Sequence, residues 1–214
     1  MQIRILGCSG GIGGVLRTTS LLVDDDILID AGTGVGDLTL AEMARIRHIF
    51  ITHSHLDHIA GIPLMVDSIF GQITQPIVIH ASAETVNALR QHIFNWTIWP
   101  DFTRLPSDQR GVMRYEVMVP YEVRVIEGRI VRMIPVNHIV PAVAYSIEHN
   151  GRVAAFTGDT TTNDTLWAAL NDYPGLEVLI AECAFPKRLR GLKFFWSSPT
   201  GWDAGLVSPQ RITG

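Results

Sequence analysis

The first part of the chain alternates short apolar runs with segments in which apolar residues recur at helical spacing. The apolar runs predict strands over Gln2–Leu6, Thr19–Val23, Ile27–Ile29, His48–Ile51 and Ile77–Ile79. The helical spacing predicts helices over Asp37–Ile46, Ile59–Phe70 and Glu84–Phe94. This alternation of strand and helix is typical of the α/β class.

From Val112 onward the pattern changes to strands that follow one another directly. Glu127-Gly128 and Asn150-Gly151 are typical hairpin turns. The strands predicted here are Val112–Val119, Tyr121–Ile126, Arg129–Val136, Val143–Ile147, Val153–Phe156 and Val178–Ala181, with a helix over Asn163–Leu170. Strands and helices in both parts predict two sheets packed face to face with helices outside.

The segment from Asn95 to Arg110 interrupts this order. It carries Trp96, Trp99 and Phe102 together with two prolines. Two interpretations stay open at this point: a connecting loop that its aromatic residues pack onto the core, or a lid that faces a substrate.

Composition and charge narrow the function classes. The 214 residues include 17 Lys plus Arg and 21 Asp plus Glu, a formal net charge of −4. This balance gives no general reason to bind nucleic acid or an anionic membrane. No apolar stretch is long enough for a transmembrane helix, and the first residues do not resemble a signal peptide. Only two cysteines, Cys8 and Cys183, fit a reducing compartment, so we expect a cytoplasmic protein without membrane partners.

A glycine-rich segment, Gly7–Gly14, follows the first predicted strand. Its spacing does not fit a dinucleotide-binding fingerprint, because Leu16 stands where a third glycine belongs. No Gly-Lys-Ser/Thr follows to make a phosphate loop. We therefore interpret it as a tight turn and predict no residues for an organic cofactor. Cys8, within this segment, is interpreted as a small buried apolar residue rather than a metal ligand.

Four residues of metal-ligand type lie together directly after the strand His48–Ile51. They are His53, His55, Asp57 and His58. Residues two apart in an extended segment point to the same side, whereas Asp57 and His58 begin the next predicted helix and approach from another direction. This arrangement favours two adjacent metal sites over one tetrahedral site.

Two later segments offer further ligands where a strand gives way to a loop. His138 follows one predicted strand and Asp159 follows another. A carboxylate can bridge two cations, so Asp159 is a candidate bridge, although a helix N-cap near Asn163 is the alternative. Asp30, at the end of a strand, either fixes a ligand loop or is a turn residue. The other histidines, His48, His80, His92 and His149, are interpreted as residues without a role in the site.

The residues resemble a known family. His53–His58 matches the H-x-H-x-D-H signature of the metallo-beta-lactamase superfamily, and Ile29–Gly32, His138 and Gly158–Thr160 resemble its other landmarks. The string THSHLDHIAGIP is similar to the class II 3′,5′-cyclic-nucleotide phosphodiesterases. The resemblance implies an α/β four-layer αβ/βα sandwich over residues 1–192, incomplete at its C-terminal end, followed by an atypical tail over residues 193–214.

The same resemblance implies the ligand assignments. It places His53, His55 and His138 on one Zn2+, Asp57 and His58 on a second, and Asp159 between them. Asp57 and Asp159 are the implied catalytic residues. The family pattern has a further histidine for the second metal that this sequence lacks, and Mn2+ or Fe are alternatives to zinc.

The implied function is hydrolysis of a 3′,5′-cyclic nucleotide, cAMP first, to the 5′-monophosphate by a metal-activated hydroxide, with the atypical C-terminus expected to reduce turnover. The alternatives are another hydrolase of this fold acting on an RNA phosphodiester, a thioester or a lactam, or a metal-binding protein without catalysis. The implied partner is a small anionic cyclic nucleotide. Formation of a homodimer stays open.

Overall fold

The computed structural model describes residues 1–181 of the chain. The chain divides into two compact units, one from Met1 to Met118 and the other beginning at Val119. The predicted tail over residues 193–214, Cys183 and the basic residues Lys187, Arg188, Arg190 and Lys193 lie outside the described residues.

The first unit is built on a six-stranded sheet. Its strands, in chain order and in sheet order, are β1 (Ile3–Gly7), β2 (Ser20–Val23), β3 (Ile27–Ala31), β4 (His48–Phe50), β5 (Ile77–Ala81) and β6 (Met113–Val117). β1, β2 and β3 pair antiparallel, whereas β3, β4, β5 and β6 pair parallel. The carboxyl ends of the parallel strands therefore meet at one edge, where ligands bind in open α/β sheets.

The helices of this unit are shorter than the periodicity predicts. They are α1 (Leu40–Met43), α2 (Leu56–Ile59), α3 (Gly61–Ser68) and α4 (Ala83–Ala88), which continues as one wider turn over Leu89–Ile93. The prediction of a helix from Asp37 was wrong, because the Thr39 side chain accepts from the Glu42 N–H and caps the helix two residues later.

The core of this unit lies between the sheet and these helices. Leu28, Ile49 and Ile79 from the strands pack with Ile62 and Val66 from α3, all of them less than 5 % exposed. Burial of this apolar area is the main force that holds the helices on the sheet.

Part of the segment over residues 95–110 belongs to the same core. Phe102 is 1 % exposed and lies 5.9 Å from Phe70, measured between ring centroids. Trp96, in contrast, is 56 % exposed. The interpretation as a connecting loop packed by its aromatic residues therefore holds for Phe102.

The second unit is a five-stranded sheet with one described helix. The strands are β7 (Val123–Ile126), β8 (Arg129–Val136), β9 (Ala142–His149), β10 (Arg152–Phe156) and β11 (Leu176–Ile180), in the order β11-β10-β9-β8-β7. Helix α5 (Asp164–Asn171) buries Leu166 and Leu170 against this sheet. The α/β class predicted from the sequence is confirmed in both units. Through residue 181, every helix is too short or too polar to cross a lipid bilayer.

Candidate metal centre

The loop that follows β4 carries the four clustered ligand-type residues of the first unit. His55 is the residue before α2, and Asp57 and His58 lie in its single turn. The rings of His55 and His58 lie 4.6 Å and 4.2 Å from that of His53, measured between centroids. His53 and His58 are almost completely buried, whereas His55 and Asp57 are half-buried. The cluster thus has a protected side and a side open to a ligand.

The distances within this cluster suit a metal ion. His58 Nε2 lies 3.7 Å from Asp57 Oδ2. Imidazole nitrogens and carboxylate oxygens bind Zn2+ at ~2.0–2.2 Å, so two such atoms at this separation can contact one ion between them. The donor chemistry and the spacing of the residues in this loop therefore fit a bound cation.

A β-bulge at Asp30 aims a carboxylate at the cluster. β2 and β3 pair Leu21 with Ile29 and Ser20 with Ala31, so that Asp30 is the extra residue. Its φ of +54° is the left-handed conformation that aspartate tolerates better than most residues. Ser20 Oγ donates to the Asp30 carbonyl oxygen at 3.2 Å. Bulges of this kind re-aim a side chain beside a functional site.

The Asp30 carboxylate is fully buried and contacts two residues of the loop. Its Oδ1 accepts from the Thr52 backbone N–H and its Oδ2 from the Thr52 hydroxyl, both at 2.8 Å. Its Oδ2 also lies 2.7 Å from His58 Nδ1. Of the two interpretations of Asp30, the structure supports the one in which it fixes the ligand loop.

Close backbone packing holds α2 beside the end of β3. A Cβ atom on Gly32 would overlap the Asp57 carbonyl oxygen and the Thr18 hydroxyl. Thr18 and Thr33 exchange two hydrogen bonds here, since each hydroxyl accepts from the backbone N–H of the other, at 2.9 and 2.8 Å. The turn after β3 is therefore closely packed, and only glycine fits at position 32 without a clash.

In the second unit, His138 and Asp159 lie together. His138 follows β8 and Asp159 follows β10, and the atoms His138 Nε2 and Asp159 Oδ2 are 3.9 Å apart. Asn137 connects the two loops: its side chain donates to the Thr162 carbonyl at 3.0 Å, and its carbonyl accepts from the Thr161 N–H at 2.7 Å. Strand order and this one asparagine explain why residues so distant in sequence become neighbours.

The alternative role for Asp159 as a helix cap was wrong. The N-cap of α5 is Asn163, whose side chain accepts from the Leu166 N–H at 3.0 Å. Gly158 has a φ of +58°, which favours glycine and turns the chain sharply before Asp159. The carboxylate of Asp159 therefore does not cap α5, and it lies in the loop near His138.

Two of the histidines interpreted as residues without a role in the site contact each other. His48 Nδ1 lies 2.9 Å from His80 Nε2, and the His80 ring stacks on Phe50 at 4.3 Å between centroids. The pairing of β4 with β5 sets Phe50 opposite His80. Sequence reasoning missed this pair, although both histidines stood in predicted strands that pairing could bring together.

Cys8 is half-buried, which is less than the sequence interpretation as a buried residue expects. Burial raises the pKa of its thiol to about 11, so the thiol is neutral near pH 7. A neutral thiol is a poor metal ligand, in agreement with the interpretation made from the sequence.

The model of a family described as "cAMP phosphodiesterases class-II" matches residues 38–151, just over half of the chain. This range contains the whole ligand loop after β4 and His138.

Two curated relatives carry different activities in their names. A "Probable 3′,5′-cyclic-nucleotide phosphodiesterase" of Yersinia pestis is 27 % identical over 94 % of this chain and 69 % of its own length. A "Ribonuclease Z" of Haloarcula marismortui is 30 % identical over 73 % of this chain and 50 % of its own length. The chain thus spans about half the length of that ribonuclease relative.

A solved structure identifies the fold. The metallo-beta-lactamase fold protein YhfI from Bacillus subtilis superimposes with a TM-score of 0.66 at 17 % identity, covering 86 % of this chain and 70 % of that one. The fold implied by the sequence resemblance is therefore confirmed, whereas identity at this level carries no information on substrate.

Proposed function

The chain belongs to the family of class-II cAMP phosphodiesterases, and from that membership we propose that it hydrolyses a 3′,5′-cyclic nucleotide, cAMP first, to the 5′-monophosphate. At a coarser level it is a hydrolase of the metallo-beta-lactamase superfamily. The observation that carries the proposal is the ligand loop His53–His58, which lies at the carboxyl end of β4 and is fixed by the buried Asp30 carboxylate.

We propose the same metal ligands that the family resemblance implies, with Zn2+ as the resident metal. Within each unit the donor atoms lie at distances that suit shared ions, 3.7 Å in the first and 3.9 Å in the second. The proposed ligands are His53, His55, Asp57, His58, His138 and Asp159. Metal analysis of the purified protein distinguishes Zn2+ from Mn2+ and Fe.

The reaction requires a water oxygen to bond to phosphorus while the bond from phosphorus to the 3′ oxygen breaks and that oxygen gains a proton. Bound zinc would supply Lewis-acid chemistry that neutralises the phosphate oxygens and lowers the pKa of water. The Asp57 carboxylate, with its side chain 31 % exposed, orients the attacking water and accepts its proton. Burial of His53 and His58 keeps bulk water from the inner side of the cluster.

Substitution of Asp57 tests this proposal. We expect Asp57→Asn to lower cyclic AMP hydrolysis by at least about 100-fold, because general-base catalysis contributes 10²–10⁴-fold. Asp67→Asn, on the exposed side of α3, is the matched control and should leave the rate unchanged. Equal rates for the two variants would contradict the role of Asp57.

An RNA phosphodiesterase is the second candidate, because the ribonuclease Z relative covers 73 % of this chain. The substrate assay therefore compares cyclic AMP, cyclic GMP, a precursor transfer RNA, an aryl phosphodiester and a beta-lactam. Preference for cyclic nucleotides supports the proposal, whereas cleavage of the RNA alone would replace it. Bound metal without hydrolysis of any of them would identify a metal-binding protein without catalysis.

A further inference from the structure

The Thr52 hydroxyl has a single proton, and its contacts decide where that proton points. Thr52 Oγ1 lies 2.8 Å from Asp30 Oδ2 and 3.0 Å from His53 Nδ1. An ionised carboxylate accepts hydrogen bonds and donates none, so a contact of this length between two oxygens needs the hydroxyl proton between them. The hydroxyl of Thr52 therefore donates to Asp30.

This direction fixes the proton on His53. Since the hydroxyl proton of Thr52 is used on Asp30, its oxygen can only accept from the imidazole. The contact at 3.0 Å is then a hydrogen bond only if Nδ1 of His53 bears the proton. In the neutral ring the lone pair is consequently on Nε2, the form in which an imidazole nitrogen binds a metal.

His58 reaches the same carboxylate without an intermediary. Its Nδ1 lies 2.7 Å from Asp30 Oδ2 and 3.4 Å from Thr52 Oγ1, so the shorter contact is to the carboxylate. This contact also requires the proton on Nδ1 and the lone pair on Nε2. Both imidazoles thus have the same tautomer, one fixed directly and the other through a hydroxyl.

We propose that Thr52 is a positioning residue whose hydroxyl connects His53 to Asp30, so that one buried carboxylate sets the metal-binding tautomer of both His53 and His58. The inference rests on the proposed metal-binding role of these two histidines. Thr52 is 1 % exposed, and its backbone N–H is held by the same carboxylate, so its hydroxyl is confined to this position.

The first test uses the unmodified, metal-free protein. Nitrogen-15 NMR distinguishes protonated from unprotonated ring nitrogens, at a pH above the ordinary histidine pKa of about 6.5. The expected result is Nδ1–H on both His53 and His58. A proton on Nε2 of His53 would overturn the proposal without recourse to any variant.

Substitutions then distinguish the contact of His53 with Asp30, which passes through Thr52, from the direct contact of His58. In Thr52→Val we expect His53 to change tautomer and His58 to keep it, with an affinity for Zn2+ lower by about 10–100-fold. In Asp30→Asn both histidines should change. Thr52→Ser keeps the hydroxyl and should bind Zn2+ within about threefold of the wild type.

A matched control distinguishes the role of the Thr52 hydroxyl in connecting His53 to Asp30 from a general effect of losing a buried hydroxyl. Thr85 is also 1 % exposed, and Thr85→Val should change neither tautomer nor Zn2+ affinity. Equal losses of affinity in Thr52→Val and Thr52→Ser would show that packing, not the hydroxyl, matters, and would overturn the proposal. Because no substrate is used, failure to hydrolyse cyclic nucleotides would reject the proposed function while these results still decided the inference.

Discussion

Two groups of histidines lie at opposite ends of β4, and different partners orient them. After the strand, His53 and His58 are bound through Nδ1 to Thr52 and to the Asp30 carboxylate. At the start of the strand, His48 is bound to another imidazole, that of His80. Burial alone does not separate the groups, since His53, His58 and His80 are all at most 1 % exposed.

The two groups differ in the ring nitrogen that makes the short contact with the protein. The contact between His48 and His80 uses Nε2 of His80. His80 Nδ1 lies 3.6 Å from the Glu116 carboxylate. The second nitrogen of His58 likewise faces a carboxylate, since its Nε2 lies 3.7 Å from Asp57 Oδ2. The groups differ in the nitrogen that makes the short contact, which is Nε2 in His80 and Nδ1 in His53 and His58. Nε2 of the latter two is therefore the nitrogen that we propose for a metal.

The largest effect is expected from His58→Gln. Loss of this proposed ligand should lower the bound Zn2+ and reduce hydrolysis by at least about 100-fold, because metal ions contribute several kcal/mol to transition-state stabilisation. Metal analysis and the cyclic AMP assay measure the two effects. Full metal content and full activity in this variant would contradict the proposal that His58, unlike His48 and His80, binds the metal.

A smaller effect on metal binding is expected from Gly32→Ala, which acts through the backbone. The new methyl group would overlap the Asp57 carbonyl oxygen, so we expect unfolding to become easier by about 1–3 kcal/mol and Zn2+ affinity to fall. Gly36→Ala is the control, because a Cβ atom there meets nothing within 4 Å. Denaturant unfolding and Zn2+ titration of both variants check the prediction, which fails if they behave alike.

Replacement of His80 by glutamine, in the pair at the start of β4, should change the stability of the protein alone. His80→Gln removes the ring that stacks on Phe50, so we expect a loss of about 1 kcal/mol in the free energy of unfolding and no change in bound zinc. Denaturant unfolding and metal analysis distinguish this result from that of His58→Gln. A loss of metal from His80→Gln would contradict a purely structural role for His80.

The smallest effect concerns the half-buried carboxylate of Glu42 in the N-terminal cap of α1. Hydrogen bonds from the Thr39 N–H and the Arg4 side chain lower the pKa of Glu42 from 4.5 to about 2. A lowered pKa in the folded state stabilises the protein above the ordinary value, and this contribution is lost as the pH falls toward about 2. Glu42→Gln should therefore reduce the melting temperature slightly at neutral pH and flatten its decline in acid. An unchanged acid profile would show that the cap contributes nothing.

The ligand loop could be predicted from the sequence alone. His53, His55, Asp57 and His58 lie within six residues, so the local chain brings them together wherever it folds. The α/β class and most strands could also be predicted, because burial of one face of a strand or helix leaves a periodic pattern. The start of α1 could also have been predicted, from the capping box that Thr39 forms with Glu42, but the periodicity of apolar residues alone does not show it.

The side chains that orient the histidines could not be predicted, because they meet through the pairing of the strands. Asp30 reaches Thr52 and His58 because a bulge in β3 turns its side chain and because β3 pairs in parallel with β4. His48 meets His80 because of the register between β4 and β5. The register of β4 with β3 and with β5 depends on contacts between residues 21 and 30 positions apart, which the local pattern of apolar and polar residues does not encode. The sequence therefore named the candidate ligands, and the sheet register determined which nitrogen of each histidine faces the protein.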